Sequence, residues 1–107
     1  MKKIYKYALG RNGEITELTG HFTRGLTVQA QNGMPHIWIE IDEENPEVTI
    51  SIVAVGTGWE IPDELCENYL GSVQDGFGYV WHYYWVPGTI SLENPENSAP
   101  SDENQEV

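Results

Sequence analysis

Leu26-Thr27-Val28-Gln29-Ala30-Gln31-Asn32-Gly33-Met34-Pro35-His36-Ile37-Trp38-Ile39-Glu40-Ile41-Asp42 is the stretch on which the fold turns. Leu26, Val28 and Ala30 alternate with Thr27, Gln29 and Gln31, and beyond Asn32-Gly33 the residues Ile37, Ile39 and Ile41 alternate with Trp38, Glu40 and Asp42. A period of two places each set on one face of a strand. Asn-Gly between two such runs predicts a type I′ hairpin, because both central residues need positive φ. A two-residue loop sets the register: Gln31 faces Met34, Val28 faces Ile37 and Leu26 faces Ile39, so the apolar faces coincide. In that register Ala30 and Pro35 form a pair without hydrogen bonds. The proline's missing N–H points away from this partner, and the ladder on its far side should be interrupted.

On either side of this hairpin the same period recurs. Asp42-Glu43-Glu44-Asn45-Pro46-Glu47 reads as a charged turn, and Val48 to Val55 returns as a strand rich in β-branched residues. Pro62-Asp63-Glu64 resembles the first turn of a helix, with proline at its first position and acids near the positive end of the dipole; Gly71 limits it to two turns. Tyr69 to Gln74 and Phe77 to Val86 form a second expected hairpin, turning at Asp75-Gly76. Ile4 to Leu9 and Ile15 to Leu18, flanking Gly10-Arg11-Asn12-Gly13, suggest a further one. The expected fold class is therefore all-β: a small antiparallel barrel or sandwich of six to seven strands with at most one short helix.

The 107 residues suit one domain, placed at residues 1–92. Residues 93–107 hold five acids, two prolines, three asparagines and two serines with almost nothing apolar, and read as a disordered acidic tail. Seventeen acidic against five basic side chains give a net charge of −12, which disfavours direct binding to nucleic acid and to anionic membranes. All five bases (Lys2, Lys3, Lys6, Arg11 and Arg24) fall within the first 24 residues; residues 25–107 carry fifteen acids and no base. Such asymmetry serves solubility, or it builds a surface for a basic partner. The single cysteine, Cys66, excludes an internal disulfide and fits a reducing compartment. The chain has no apolar run of membrane-spanning length, and its opening does not read as a signal peptide, so a cytoplasmic address is expected.

Two groups of residues are candidates for a site. Asp42, Glu43, Glu44 and Glu47 share one loop between strands and could dock a basic protein. Phe77, Tyr79, Trp81, Tyr83 and Trp85 alternate along one expected strand, as a buried wall or as a platform on which Tyr79, Trp81, Tyr83 and Trp85 bind a flat neutral ligand such as a sugar or a nucleotide-like signal. Catalysis has little to rest on. His21, His36 and His82 share no metal-ligand spacing with one another or with Cys66, and the pairs Glu43/Glu44 and Asp63/Glu64 sit in turns where nothing would split their pKa values. The acidic run lacks the glycine and spacing of a calcium loop. No serine stands in a nucleophile elbow, and Gly56-Thr57-Gly58 opens no phosphate-binding helix. No metal, cofactor or catalytic residue is expected, and oligomeric state is not legible.

Met1-Lys2-Lys3-Ile4-Tyr5-Lys6-Tyr7, Thr27-Val28-Gln29-Ala30-Gln31-Asn32-Gly33-Met34-Pro35-His36-Ile37-Trp38, Gly56-Thr57-Gly58-Trp59-Glu60-Ile61-Pro62, and Tyr69-Leu70-Gly71-Ser72-Val73 with Val80-Trp81-His82 together resemble a family of small uncharacterised phage and prophage proteins. The resemblance covers about residues 1 to 86, and the acidic tail is an addition to it. It brings no activity or functional residue. It implies an accessory protein of a bacterial host's cytoplasm, where an acidic surface could occlude the basic channel of a nucleic-acid-handling or defence enzyme; a virion or assembly role is the other expectation from that context.

Overall fold

The computed structural model describes residues 1–87. The expected tail at 93–107, and the last residues of the expected domain 1–92, lie outside the described residues. Among the described residues seven strands run in chain order: β1 (Lys2–Ala8), β2 (Ile15–Gly20), β3 (Phe22–Gln31), β4 (Met34–Asp42), β5 (Val48–Gly56), β6 (Tyr69–Gln74) and β7 (Val80–Trp85). They form two antiparallel sheets, ordered β1-β4-β3 and β2-β5-β7-β6. The fold is the expected mainly β one, in its sandwich form. Among the described residues the only helical turn is 3-10, at Asp63–Leu65.

The inward face of β4 supplies Ile37, Ile39 and Ile41, and that of β5 supplies Ile50, Ile52 and Ala54; Trp81 and Tyr83 of β7 complete the layer between the sheets. Full burial of an aliphatic side chain such as Ile39 or Ile52 contributes about 1.5–3 kcal/mol. β5 and β7 are covered on their outer face as well. There Val53, Val55, Tyr84 and Val86 meet Leu65 of the 3-10 turn, with Ile61 beside it. This explains the nearly unbroken apolar run of β5, which is the pattern of a strand with two dry faces.

The central hairpin has the predicted turn: Asn32 and Gly33 hold φ of 56° and 78°, and Gln31, Ala30 and Val28 lie opposite Met34, Pro35 and Ile37. Pro35 ends the neighbouring ladder. The β1 pairing runs to Ala8 opposite His36, and the Leu9 N–H then donates to the Pro35 carbonyl at 3.0 Å.

Three expectations are corrected. Leu26 does not face Ile39: an irregularity between Gly25 and Thr27 puts Gly25 opposite Ile39 and leaves Leu26 exposed. An extra residue in one strand has no partner across the ladder, so the alternation that held from Gln31 to Val28 breaks. The segments Ile4–Leu9 and Ile15–Leu18 do not pair with each other. The turn between them is present, with Asn12 and Gly13 at positive φ and the Glu14 N–H donating to the Arg11 carbonyl at 3.1 Å, but it hands the chain from one sheet to the other. Finally, β6 and β7 pair as expected but turn over five residues, with Gln74 opposite Val80, so Phe77 and Tyr79 lie in the turn rather than the strand.

Candidate functional site

The acidic loop is tied down by its own backbone. The Asp42 carboxylate accepts from the Glu44 N–H at 3.1 Å, the Asn45 N–H donates to the Asp42 carbonyl, and His21 Nδ1 meets the Asn45 carbonyl at 2.7 Å. That Glu44 N–H, with the terminal ammonium 3.6 Å away, holds the Asp42 carboxyl below its usual range against partial desolvation. Glu43 pairs with Lys3 at 3.5 Å. The loop thus divides: Asp42 and Glu43 meet the basic N-terminus of β1, whereas the exposed side chains of Glu44 and Glu47 have no partner among the described residues.

The same division runs over the whole described surface. Lys2 and Arg24 both reach Glu40, Lys3 reaches Glu43, Lys6 donates to Gln31 Oε1, and Arg11 reaches Asp75. Every basic side chain therefore has a polar partner within the chain. The exposed side chains of Glu17, Glu44, Glu47, Glu60, Asp63, Glu64 and Glu67 have none among the described residues. Lys2, Lys3 and Arg24 stay exposed but each lies beside a carboxylate, so among the described residues the exposed charged side chains left without a partner are all acidic.

A second feature stands at the turn between β6 and β7. Asp75 is buried, its side chain 1% exposed, yet it is fully partnered. Its Oδ1 accepts from the Phe77 and Tyr79 N–H groups at 2.9 and 3.0 Å; its Oδ2 accepts from Trp81 Nε1 at 2.9 Å and Arg11 Nη1 at 3.4 Å. Burial would raise this carboxyl, but the donors of Trp81, Phe77, Tyr79 and Arg11 outweigh it and hold the group below its usual range. One side chain so fixes the backbone of the turn and the indole of the strand that follows. The turn carries Phe77 and Tyr79 outward, 74% and 63% exposed, and Trp59 beside them is 47% exposed. Trp59 meets Trp81 edge-on, with ring centroids 5.9 Å apart, and Arg11 lies 5.4 Å over the Phe77 ring. Tyr79 and Trp81 border two cavities, of about 550 Å³ toward Arg11, Asn12 and Glu14 and about 420 Å³ toward Thr57 and Trp59.

The expected aromatic platform of Tyr79, Trp81, Tyr83 and Trp85 is thus divided by the structure. Tyr83 is 1% exposed, and its hydroxyl donates to the Gly10 carbonyl at 2.6 Å; Trp85 is half-buried and lines an apolar cavity of about 320 Å³ between the sheets. Tyr79 and Trp81 alone reach the outer cavities. Phe77, the first of the aromatic row, and Arg11, Trp59 and Asp75, which sequence reasoning did not group with it, complete that neighbourhood. The signal for Asp75 is the run Asp75-Gly76-Phe77-Gly78, an acceptor side chain ahead of two glycines, which suits a wide turn capped by a carboxylate.

The histidines lie apart. On the outer face of the four-stranded sheet, His82 sits between Thr57 Oγ1 at 2.8 Å and Ser72 Oγ at 2.6 Å, and Tyr69 extends the chain of hydrogen bonds. His36 meets the Met34 carbonyl. Among the described residues no group of three or more His, Cys, Asp or Glu side chains could hold a metal ion, and no helix is long and apolar enough to cross a membrane.

A family model described as a domain of unknown function, DUF7352, matches residues 1–91. The chain belongs to that family, and the expected kinship with an uncharacterised family holds at this level. Neither a curated protein nor a solved structure matches the chain.

Proposed function

We propose that this DUF7352 protein is a non-enzymatic binding protein whose acidic surface docks on a basic protein, and that it is a phage-type accessory protein of the bacterial cytoplasm covering the nucleic-acid channel of a host or phage enzyme. One observation carries the docking: four of the five cations pair with carboxylates of the same chain and the fifth, Lys6, donates to Gln31, while Glu44, Glu47 and the carboxylates of the β5–β6 connection have no partner among the described residues. A rigid cluster of unpaired charge steers a complementary partner and meets it at little entropic cost. The phage context draws on the sequence resemblance, and the inhibitory role on charge, since a chain of this sign competes with a phosphate backbone for the same basic groove.

The test is affinity capture from a bacterial lysate, followed by kinetics with the purified partner. Association should slow by about tenfold between roughly 50 and 500 mM salt, because steering is screened beyond about 8 Å at physiological ionic strength. Glu44→Lys with Glu47→Lys should reproduce part of that slowing at low salt. A partner that binds indifferently to both salt and these reversals overturns the reading.

A further inference from the structure

We infer that the β6–β7 turn is the contact point for an arginine of that same basic partner, stacked on Phe77 and Tyr79; the inference rests on the docking just proposed and names where it is anchored. Large rings left in water on a small protein mark a recognition surface more often than a scattered apolar residue does. Here the backbone that carries them is also held. Asp75 fixes the N–H groups of both Phe77 and Tyr79, so little backbone freedom remains to be lost on binding. Open space lies beside the turn: apart from its chain neighbours Phe77 and Tyr79, a Cβ placed on Gly78 would meet no atom within 4 Å.

The chemistry of the occupant follows from charge and ring geometry. Ring faces are electronegative and attract cations, and a guanidinium does best because it is planar and weakly hydrated. The fold already holds one such contact, with the Arg11 guanidinium over Phe77 while its Nη1 reaches Asp75. With Arg11 neutralised by Asp75, the exposed carboxylates of Glu14 and Glu60 leave this end of the protein negative. A flat neutral ligand fits less well. The Tyr79 and Trp59 rings are inclined to Trp81 by 40° and 70°, so the three offer no common plane for a sugar or base to lie on.

Two probe peptides of equal length and charge, a glycine-arginine repeat and a glycine-lysine repeat, test this with the full chain, read by intrinsic tryptophan fluorescence, to which Trp59 and Trp81 beside the turn contribute, at about 150 mM salt. The arginine peptide should bind about five- to tenfold more tightly than the lysine peptide. The double substitution Phe77→Ala with Tyr79→Ala should abolish that preference while leaving the weaker, salt-sensitive binding of both peptides in place. Both residues are exposed, and an unchanged circular dichroism spectrum and melting temperature would confirm that the variant folds. Equal binding of the two peptides, or a preference that survives the double substitution, overturns the arginine site and leaves the acidic docking surface standing. No binding of either peptide at about 50 mM salt overturns the docking surface as well. Binding of neutral cellohexaose that the double substitution removes would assign the rings to a carbohydrate and overturn the inference.

Discussion

The two hairpin turns of this protein meet at their tips, where the Gly76 N–H donates to the Gly33 carbonyl at 2.9 Å, yet they are built on different principles. Asn32-Gly33 is the shortest turn a hairpin allows, and the backbone alone decides it: two residues that tolerate positive φ and two strands whose twist the turn matches. The turn at residues 75–79 is wide. Its backbone closes through the Asp75 N–H to the Tyr79 carbonyl and the Gly78 N–H to the Asp75 carbonyl, and a buried carboxylate fills the middle. A turn of the first kind adds nothing to the surface. One of the second kind carries two large rings into solvent on a fixed backbone.

The largest effect should come from cutting the tie between the wide turn and the strand after it. Trp81→Ala removes a core ring and the indole donor to Asp75 together, and should cost about 3–5 kcal/mol in urea denaturation. A loss below about 1 kcal/mol would mean that the strand is not part of the core wall. Next in size is the narrow turn. Gly33→Ala puts a Cβ on a residue at φ 78°, 3.2 Å from the Gly76 Cα, and should cost about 1–2 kcal/mol in the same measurement. If instead it is neutral, the two tips are not in fixed contact.

Acid should separate the turns without any substitution. Because Asp75 titrates below its ordinary value of 3.8, its support of the wide turn is complete above that pH and fades as pH falls through its folded-state value. Amide exchange at Phe77 and Tyr79 should therefore accelerate below about pH 4 before that at Gly33 does, and Asp75→Asn should abolish the difference. Smallest of all, Phe77→Ala should change stability by less than about 0.5 kcal/mol, since its ring is exposed and its N–H remains. A larger loss would mean that the ring supports the fold rather than serving a partner.

The contrast between the turns also accounts for what could be read in advance. Asn32-Gly33 is legible because its cause is local, and the register it sets holds as far as Val28 and Ile37. Beyond them Leu26 departs from the expected face, because an extra residue in β3 leaves no mark on an alternating pattern. Gly10-Arg11-Asn12-Gly13 is likewise a real turn, but a turn signal records that the chain changes direction and not which strand it will join. Whether β1 pairs with β2 or with β4 is decided by which apolar faces can be buried together, and β2 finds its partners much further along the chain, from Ile15 opposite Val53 to Gly20 opposite Val48. Of the candidate site, the charge imbalance was visible as composition. Its resolution into paired and unpaired acids was not, because the bases are gathered near the N-terminus while most of their carboxylate partners lie far along the chain. The aromatic strand starts later than its pattern implies, since period two continues without interruption from Phe77 to Trp85 although the strand begins only at Val80.

The order in which the strands pair gives the chain a timetable. β1 is synthesised first but has no neighbour until β4 (Met34–Asp42) exists, and β2 waits for β5 (Val48–Gly56). At about 5–20 residues per second on the ribosome, each waits roughly two seconds or longer. Once β4 has emerged, its hairpin with β3 can form in about 1–10 μs and β1 can add to its other edge, while β2 still has no partner. Nascent chains should therefore carry the three-stranded sheet β1-β4-β3 with β2 left unpaired, and the second sheet should close only after β5 and β7 have emerged.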